Sequence, residues 1–193
     1  MRLLLLAPPG AGKGTQGERL ADRLGVQHIS AGELLRARAG TDVGREIAVY
    51  QQRGDLVPDA IVFEVLTPVV VAAVAGGGYI LDGFPRTLPQ ATAAAELGAR
   101  LGLTLDAVVH LYAPQAVLAQ RLFGRAGREG RSDDTAAVIR HRLELFTTMT
   151  SPLIAYYRDR GILLEVDADR PPEAVTTEIL SRLPDRSPTR ERT

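Results

Sequence analysis

The sequence predicts an α/β protein built on a parallel sheet with helices on both faces. Three observations lead there. Five short apolar runs, Arg2–Leu6, Val26–Ile29, Tyr79–Asp82, Ala107–Tyr112 and Ile162–Val166, have the length and near-continuous hydrophobicity of strands buried on both sides. The stretches between them carry helical periodicity and are long enough for the crossovers a parallel sheet needs. The first run ends in the glycine-rich turn Ala7-Pro8-Pro9-Gly10-Ala11-Gly12-Lys13-Gly14-Thr15, which leads straight into a helix.

Taken in order, Met1-Arg2-Leu3-Leu4-Leu5-Leu6 holds only four leucines before Ala7-Pro8-Pro9-Gly10. A secretory apolar core needs about 7–15 residues, so this is a strand entering a loop and no leader is expected. Helices are expected at Lys13–Leu24, Ala31–Ala39, Val43–Arg53, Asp59–Ala75, Leu88–Arg100, Pro114–Leu122, Asp134–Arg160 and Pro172–Leu183. Pro68 interrupts the fourth of these for no reason visible in the sequence. The run Ala60–Ala75 contains Glu64 and Pro68 and falls short of the roughly 20 residues of a bilayer span, so no membrane segment is expected. Gly76-Gly77-Gly78 is followed by neither a lysine nor a helix start and is read as a plain turn. The polar, arginine-rich tail 184–193 is expected to be disordered, leaving one domain over 1–183.

Composition narrows the function. At 193 residues the chain buries roughly 70% of its unfolded surface. Basic and acidic residues both number 23, which argues against a general nucleic-acid or membrane coat. No cysteine is present, which excludes disulfides, thiolate zinc and a cysteine nucleophile. Of the 23 basic residues 22 are arginine, and the one lysine is Lys13. With 26 alanines, this points to a GC-rich coding bias that spared a single lysine inside the glycine loop.

That loop has the strand–GxxxxGK–helix setting of a phosphate-binding loop. Gly10, Gly12 and Gly14 let backbone amides turn inward around phosphates, with Ala11 between them, and the helix N-terminus adds partial positive charge. Lys13 is expected on the β/γ oxygens and Thr15 in a magnesium shell. A dinucleotide loop has no use for the lysine and would need glycine where Thr15 stands. Ala7 replaces the usual first glycine, so its φ must stay negative. His28, His110 and His141 share no ligand spacing and are expected to be structural or surface residues, and Tyr156 and Tyr157 packing residues.

The run Gly10-Ala11-Gly12-Lys13-Gly14-Thr15-Gln16 resembles the adenylate kinases among the nucleoside monophosphate kinases. Further blocks are similar in order and spacing: His28-Ile29-Ser30-Ala31-Gly32-Glu33-Leu34-Leu35-Arg36, Gly54-Asp55-Leu56-Val57-Pro58-Asp59, and Asp82-Gly83-Phe84-Pro85-Arg86-Thr87 with Gln90. Gly130-Arg131-Ser132-Asp133-Asp134, Arg142-Leu143, Pro152-Leu153 and Tyr156-Tyr157 continue it over nearly all of 1–183, and Val166-Asp167-Ala168-Asp169-Arg170-Pro171 resembles an adenine-contacting loop.

The resemblance implies a P-loop three-layer fold with strand order 2-3-1-4-5. It implies a core of 1–29, 60–122 and 134–183, a helical monophosphate-binding insert at 30–59 and a lid at 123–133. Only five residues separate Arg125 from Arg131, which implies a short lid without zinc. The implied catalytic cations are Lys13, Arg86, Arg125, Arg131 and Arg142. ATP would be held by the loop, Arg125 and Arg170, and AMP by Ala31, Arg36, Val57, Gly83, Arg86, Gln90, Arg131 and Arg142. Magnesium would sit, through water, at Thr15 and Asp82. Asp133 and Asp134 would orient lid arginines and start the next helix. The expected activity is ATP + AMP to two ADP, in a cytoplasmic monomer that binds neither nucleic acid nor membrane. Ala31 stands where many adenylate kinases carry threonine, so a UMP/CMP kinase stays open, as does a nucleotide-binding regulatory module without turnover.

Overall fold

A computed structural model describes residues 1–129 and 135–184, the side chains of 125–129 excepted. The roles expected of Arg125, Arg131, Asp133 and Asp134, and the disorder expected of the tail, therefore lie outside the described side chains. Five parallel strands, β1 (Arg2–Leu6), β2 (Gln27–Ser30), β3 (Tyr79–Asp82), β4 (Ala107–Tyr112) and β5 (Leu163–Asp167), form one sheet. Their order is β2-β3-β1-β4-β5, as expected. Between them run α1 (Lys13–Leu24), α2 (Ala31–Arg36), α3 (Asp42–Arg53), α4 (Asp59–Ala75), α5 (Leu88–Leu101), α6 (Gln115–Glu129), α7 (Ala136–Leu145) and α8 (Pro152–Arg158). After β5 comes α9 (Pro172–Arg182).

Alternation along β1 divides the core. Leu4 and Leu6 face a cluster with Ile29, Leu81, Val108 and Leu153, while Leu3 and Leu5 face one with Leu20, Ile80, Val109 and Ile179. Each of these side chains is at most 7% exposed, and burying one stabilises by about 1.5–3 kcal/mol.

Several boundaries move, and two strands start late because a backbone amide has another partner. Strand β2 starts one residue later than expected because the Val26 amide donates to the Ala21 carbonyl, closing α1 over left-handed Gly25. The Ile162 amide likewise donates to Tyr157, and β5 begins after it. The single helix expected over 134–160 is two, joined by a π-helical turn at Phe146–Thr150. Helix α6 continues to Glu129, through the first residues expected to form the lid. Pro68 does lie inside α4, but it is exposed, as is Glu64, to whose carbonyl it cannot donate, so water can take that bond.

Candidate active site

The sheet brings the chemistry to one edge. Leu5 of β1 pairs in register with Asp82 of β3, and Ser30 of β2 pairs with the same Asp82. The phosphate loop therefore leaves β1 beside the carboxylate that ends β3, at the carboxyl ends of the strands where such sheets bind ligands. Gly10 and Gly12 have φ of 86° and 88°, and a Cβ on Gly10 would lie 2.7 Å from the Leu118 carbonyl oxygen. Ala7 keeps a non-positive φ, as its side chain requires. Gly12 caps α1 without a side-chain bond, so the first amides of the helix receive no side-chain acceptor there. Lys13 Nζ donates to the carbonyls of Ala7 at 2.7 Å and Pro8 at 3.4 Å, arching back over the loop. Gln16, the last residue of the motif, is a strut: its Nε2 donates to Pro172 at 2.9 Å and its Oε1 accepts from Thr176, tying α1 to α9.

A cavity of about 770 Å³ opens above this edge. Gly10, Gly12, Lys13, Gly14 and Thr15 line it together with Asp82, Gly83, Arg36, Arg86 and Arg142, and the three arginines also line an adjoining slot that the loop does not reach. Arg86 Nε donates to the Gly83 carbonyl at 2.9 Å. Burial, then the neighbouring Arg142 and Arg36, hold Arg86 below the ordinary arginine value against the opposing pull of Asp82. A guanidinium stays charged even so, and the cost of gathering three cations is relieved by an anionic ligand.

A narrower slot of about 70 Å³ adjoins the arginines, lined by Ala31, Leu35, Val57, Val62, Phe84 and Gln90. Its lining is mixed, with Gln51, Asp55, Gln90 and the three arginines beside these apolar side chains, so it offers both a surface for a flat base and polar groups to orient one. Ala11 is buried under the loop rather than facing the cavity. Arg170 lies away from both spaces: its Nε donates to the Asp167 carbonyl at 3.2 Å and its guanidinium pairs with Glu178.

Asp82 is held by two neighbours. His28 Nε2 lies 2.7 Å from its Oδ2, and the Ser30 hydroxyl donates to Oδ1 at 3.4 Å. The hydrogen bond with Asp82 raises the imidazole above its ordinary value, although burial opposes the shift. The ring occupies the space left by Gly17 in α1, where an added Cβ would fall 2.2 Å from Nε2. Among the described residues no group of three or more His, Asp or Glu could enclose a metal. Thr15 and Asp82 nevertheless fit magnesium, which takes one or two carboxylates and completes its shell with water and substrate phosphates.

Sequence reasoning missed three features. Arg121 lines the cavity, donates to the Ala168 carbonyl at 3.0 Å and lies 3.7 Å from Asp169. Its spacing of four from Arg125, one helical turn, was the available signal. His28 touches Asp82, and His141 Nε2 lies 2.7 Å from Asp55 Oδ1, tying the end of the 30–59 insert to α7. Neither histidine pairing leaves a local trace in the sequence.

The family model described as adenylate kinase matches residues 5–162. A relative from Parasynechococcus marenigrum named adenylate kinase is 47% identical over 180 residues, covering 92% of this chain and 96% of that one. One of the same name from Leptospira biflexa is 44% identical over 184 residues, 94% and 99% of the two chains. A third, from Thermobifida fusca, is 41% identical over 189 residues, 97% and 100% of the two chains.

Proposed function

This chain belongs to the adenylate kinase family, and on that premise we propose that it transfers the terminal phosphoryl group of ATP to AMP, reversibly, giving two ADP. The observation that carries the reading is one cavity lined both by the phosphate loop with Lys13 and by Arg36, Arg86 and Arg142, the arginines continuing into an adjoining slot. Two anionic nucleotides facing each other need such an arrangement, and one phosphate chain does not.

The chemistry asks for positioning and charge. An AMP phosphate oxygen attacks the terminal phosphorus of ATP in line, the bond to the bridging oxygen breaks, and ADP leaves from the loop side. The attacking oxygen is already anionic, so no general base is required. Lys13 exchanges the Ala7 and Pro8 carbonyls for the β/γ oxygens, which makes its contacts with the loop a resting position. Arg36 and Arg86 hold the AMP phosphate, and Arg142 bridges toward the group in flight. By family resemblance Arg125 adds a lid cation on the ATP side, where Arg121 also stands, and Arg131 joins Arg142 in bridging the two nucleotides. Thr15 and, through water, Asp82 would hold the magnesium ion, which neutralises phosphate charge when bound with ATP. His28 and Ser30 keep the Asp82 carboxylate oriented for that task.

The narrow slot with Gln90 takes the AMP base, and the 166–171 loop the ATP adenine. Arg170 supports that loop through Asp167 and Glu178. The proposal extends to a monomeric enzyme of the cytoplasm, since one chain carries both nucleotide subsites. The deciding experiment is ADP formation from ATP and each of AMP, CMP and UMP with magnesium. ADP from AMP, at least about tenfold better in kcat/KM than the pyrimidines, is expected. Tight ATP binding with no turnover of any monophosphate would refute the proposal.

A further inference from the structure

Gln90 is 3% exposed, and both ends of its side-chain amide are engaged by groups that leave no choice of orientation. Its Oε1 accepts from the Arg86 backbone N–H at 2.7 Å, and its Nε2 donates to Asp59 Oδ1 at 2.6 Å. A backbone N–H can only donate, and a carboxylate oxygen accepts, so a flipped amide would set donor against donor at one end and acceptor against acceptor at the other. The Thr87 hydroxyl, accepting from the Gln90 backbone N–H at 3.3 Å, fixes the residue from which this side chain springs. The amide is therefore oriented by the protein before any ligand arrives.

What remains is one N–H on Nε2 and one lone pair on Oε1, on a side chain that lines the base slot. A 6-aminopurine offers an acceptor at N1 beside a donor at its amino group, which complements that pair. A 6-oxopurine offers a donor at N1 beside an acceptor at O6, and meets it donor to donor and acceptor to acceptor.

We propose that Asp59 is a specificity-determining positioning residue: by pinning the flip of the Gln90 amide it makes the slot select 6-aminopurine over 6-oxopurine monophosphates. This rests on the reading that the slot holds the base of the monophosphate. Asp59 does the selecting without being part of the slot. It opens α4, 31 positions before Gln90, and is itself exposed.

The test compares AMP with inosine monophosphate, which differs at the 6-position and in the N1 proton, using the full chain and its Asp59→Asn variant. Asparagine keeps the shape and helix-start position but can offer an N–H as readily as an oxygen, so one of the two anchors no longer dictates the flip. The kcat/KM ratio of AMP to inosine monophosphate is expected to fall about tenfold, with KM for ATP unchanged. A purely structural role would lower both substrates together and leave the ratio intact, which overturns the proposal. Asp59→Ala, which removes the acceptor without supplying a donor, should give a smaller fall, and thermal melting checks that both variants fold. Calorimetric binding of the two monophosphates reads the same ratio without turnover. A chain that binds both and transfers nothing refutes the reaction while still deciding the role of Asp59. A chain that binds neither overturns this proposal too.

Discussion

Replacing Gly17 with alanine tests the link between α1 and the carboxylate at the reaction edge. In an ordinary helix interior the change stabilises by about 1 kcal/mol, because alanine is the better helix former. Here the new Cβ would lie 2.2 Å from His28 Nε2, with two further ring atoms at 2.6 and 2.7 Å. The ring cannot move away cheaply, since the same nitrogen lies 2.7 Å from Asp82 and the two side chains are only 15% and 9% exposed. Losing a hydrogen bond to a charged partner costs about 1.5–3 kcal/mol, and forcing a methyl into a packed space about 1–3 kcal/mol. Set against the helix gain, Gly17→Ala should destabilise by about 2–4 kcal/mol, or about 5–15 °C in Tm for a chain of this size. In a His28→Ala background the clash disappears, and the same substitution should be neutral or stabilising. Urea denaturation of the four proteins of the cycle measures the coupling directly. A Gly17→Ala protein at least as stable as the parent, with His28 present, would refute the reasoning.

Lys13→Arg should leave the melting temperature nearly unchanged and lower kcat by about 100-fold or more, because a planar guanidinium does not fit where the lysine crosses its own loop; steady-state kinetics and melting decide it. Burial holds His110 below the ordinary imidazole value despite Glu165 at 3.5 Å, so its contribution is complete above the unfolded value of about 6.5 and lost as pH falls through the folded one. His110→Gln should accordingly lose less stability than the parent between pH 7.5 and 5, measured by denaturant unfolding. Gln90→Leu should erode the preference for AMP over CMP while leaving ATP affinity intact, as competition kinetics would show.

The strands were readable because a parallel sheet covered on both faces demands uninterrupted apolar runs, and Leu3 to Leu6 supply one. The phosphate loop was readable because its chemistry needs glycines and a lysine at fixed spacing along one short segment. What escaped was everything made by distant segments meeting. The Asp82–His28 contact spans 54 positions and depends on β2 lying beside β3, and the Asp55–His141 pair spans 86. No window of sequence contains either. Arg121 was overlooked for a different reason: a surface arginine on a helix is common, and only the sheet order turns that face of α6 toward the loop. The π-helical turn at Phe146–Thr150 splits a stretch whose apolar periodicity reads as continuous helix, and its local marks, three threonines followed by Ser151-Pro152, were outweighed by that periodicity.

The lysine arched over its own loop has a practical consequence. It is the only side-chain amine the chain possesses, so once the terminal Met1 amine is blocked an amine reagent has a single target, and that target lies at the phosphate site. In most proteins such labelling is scattered over a dozen surface lysines and reports nothing in particular. Here the modified fraction counts loops directly, one adduct per molecule, and a nucleotide that draws the ammonium onto its phosphates shields it from attack. Mass spectrometry of the intact chain would then follow occupancy of the loop without a radioactive substrate, a coupling enzyme or an engineered tag.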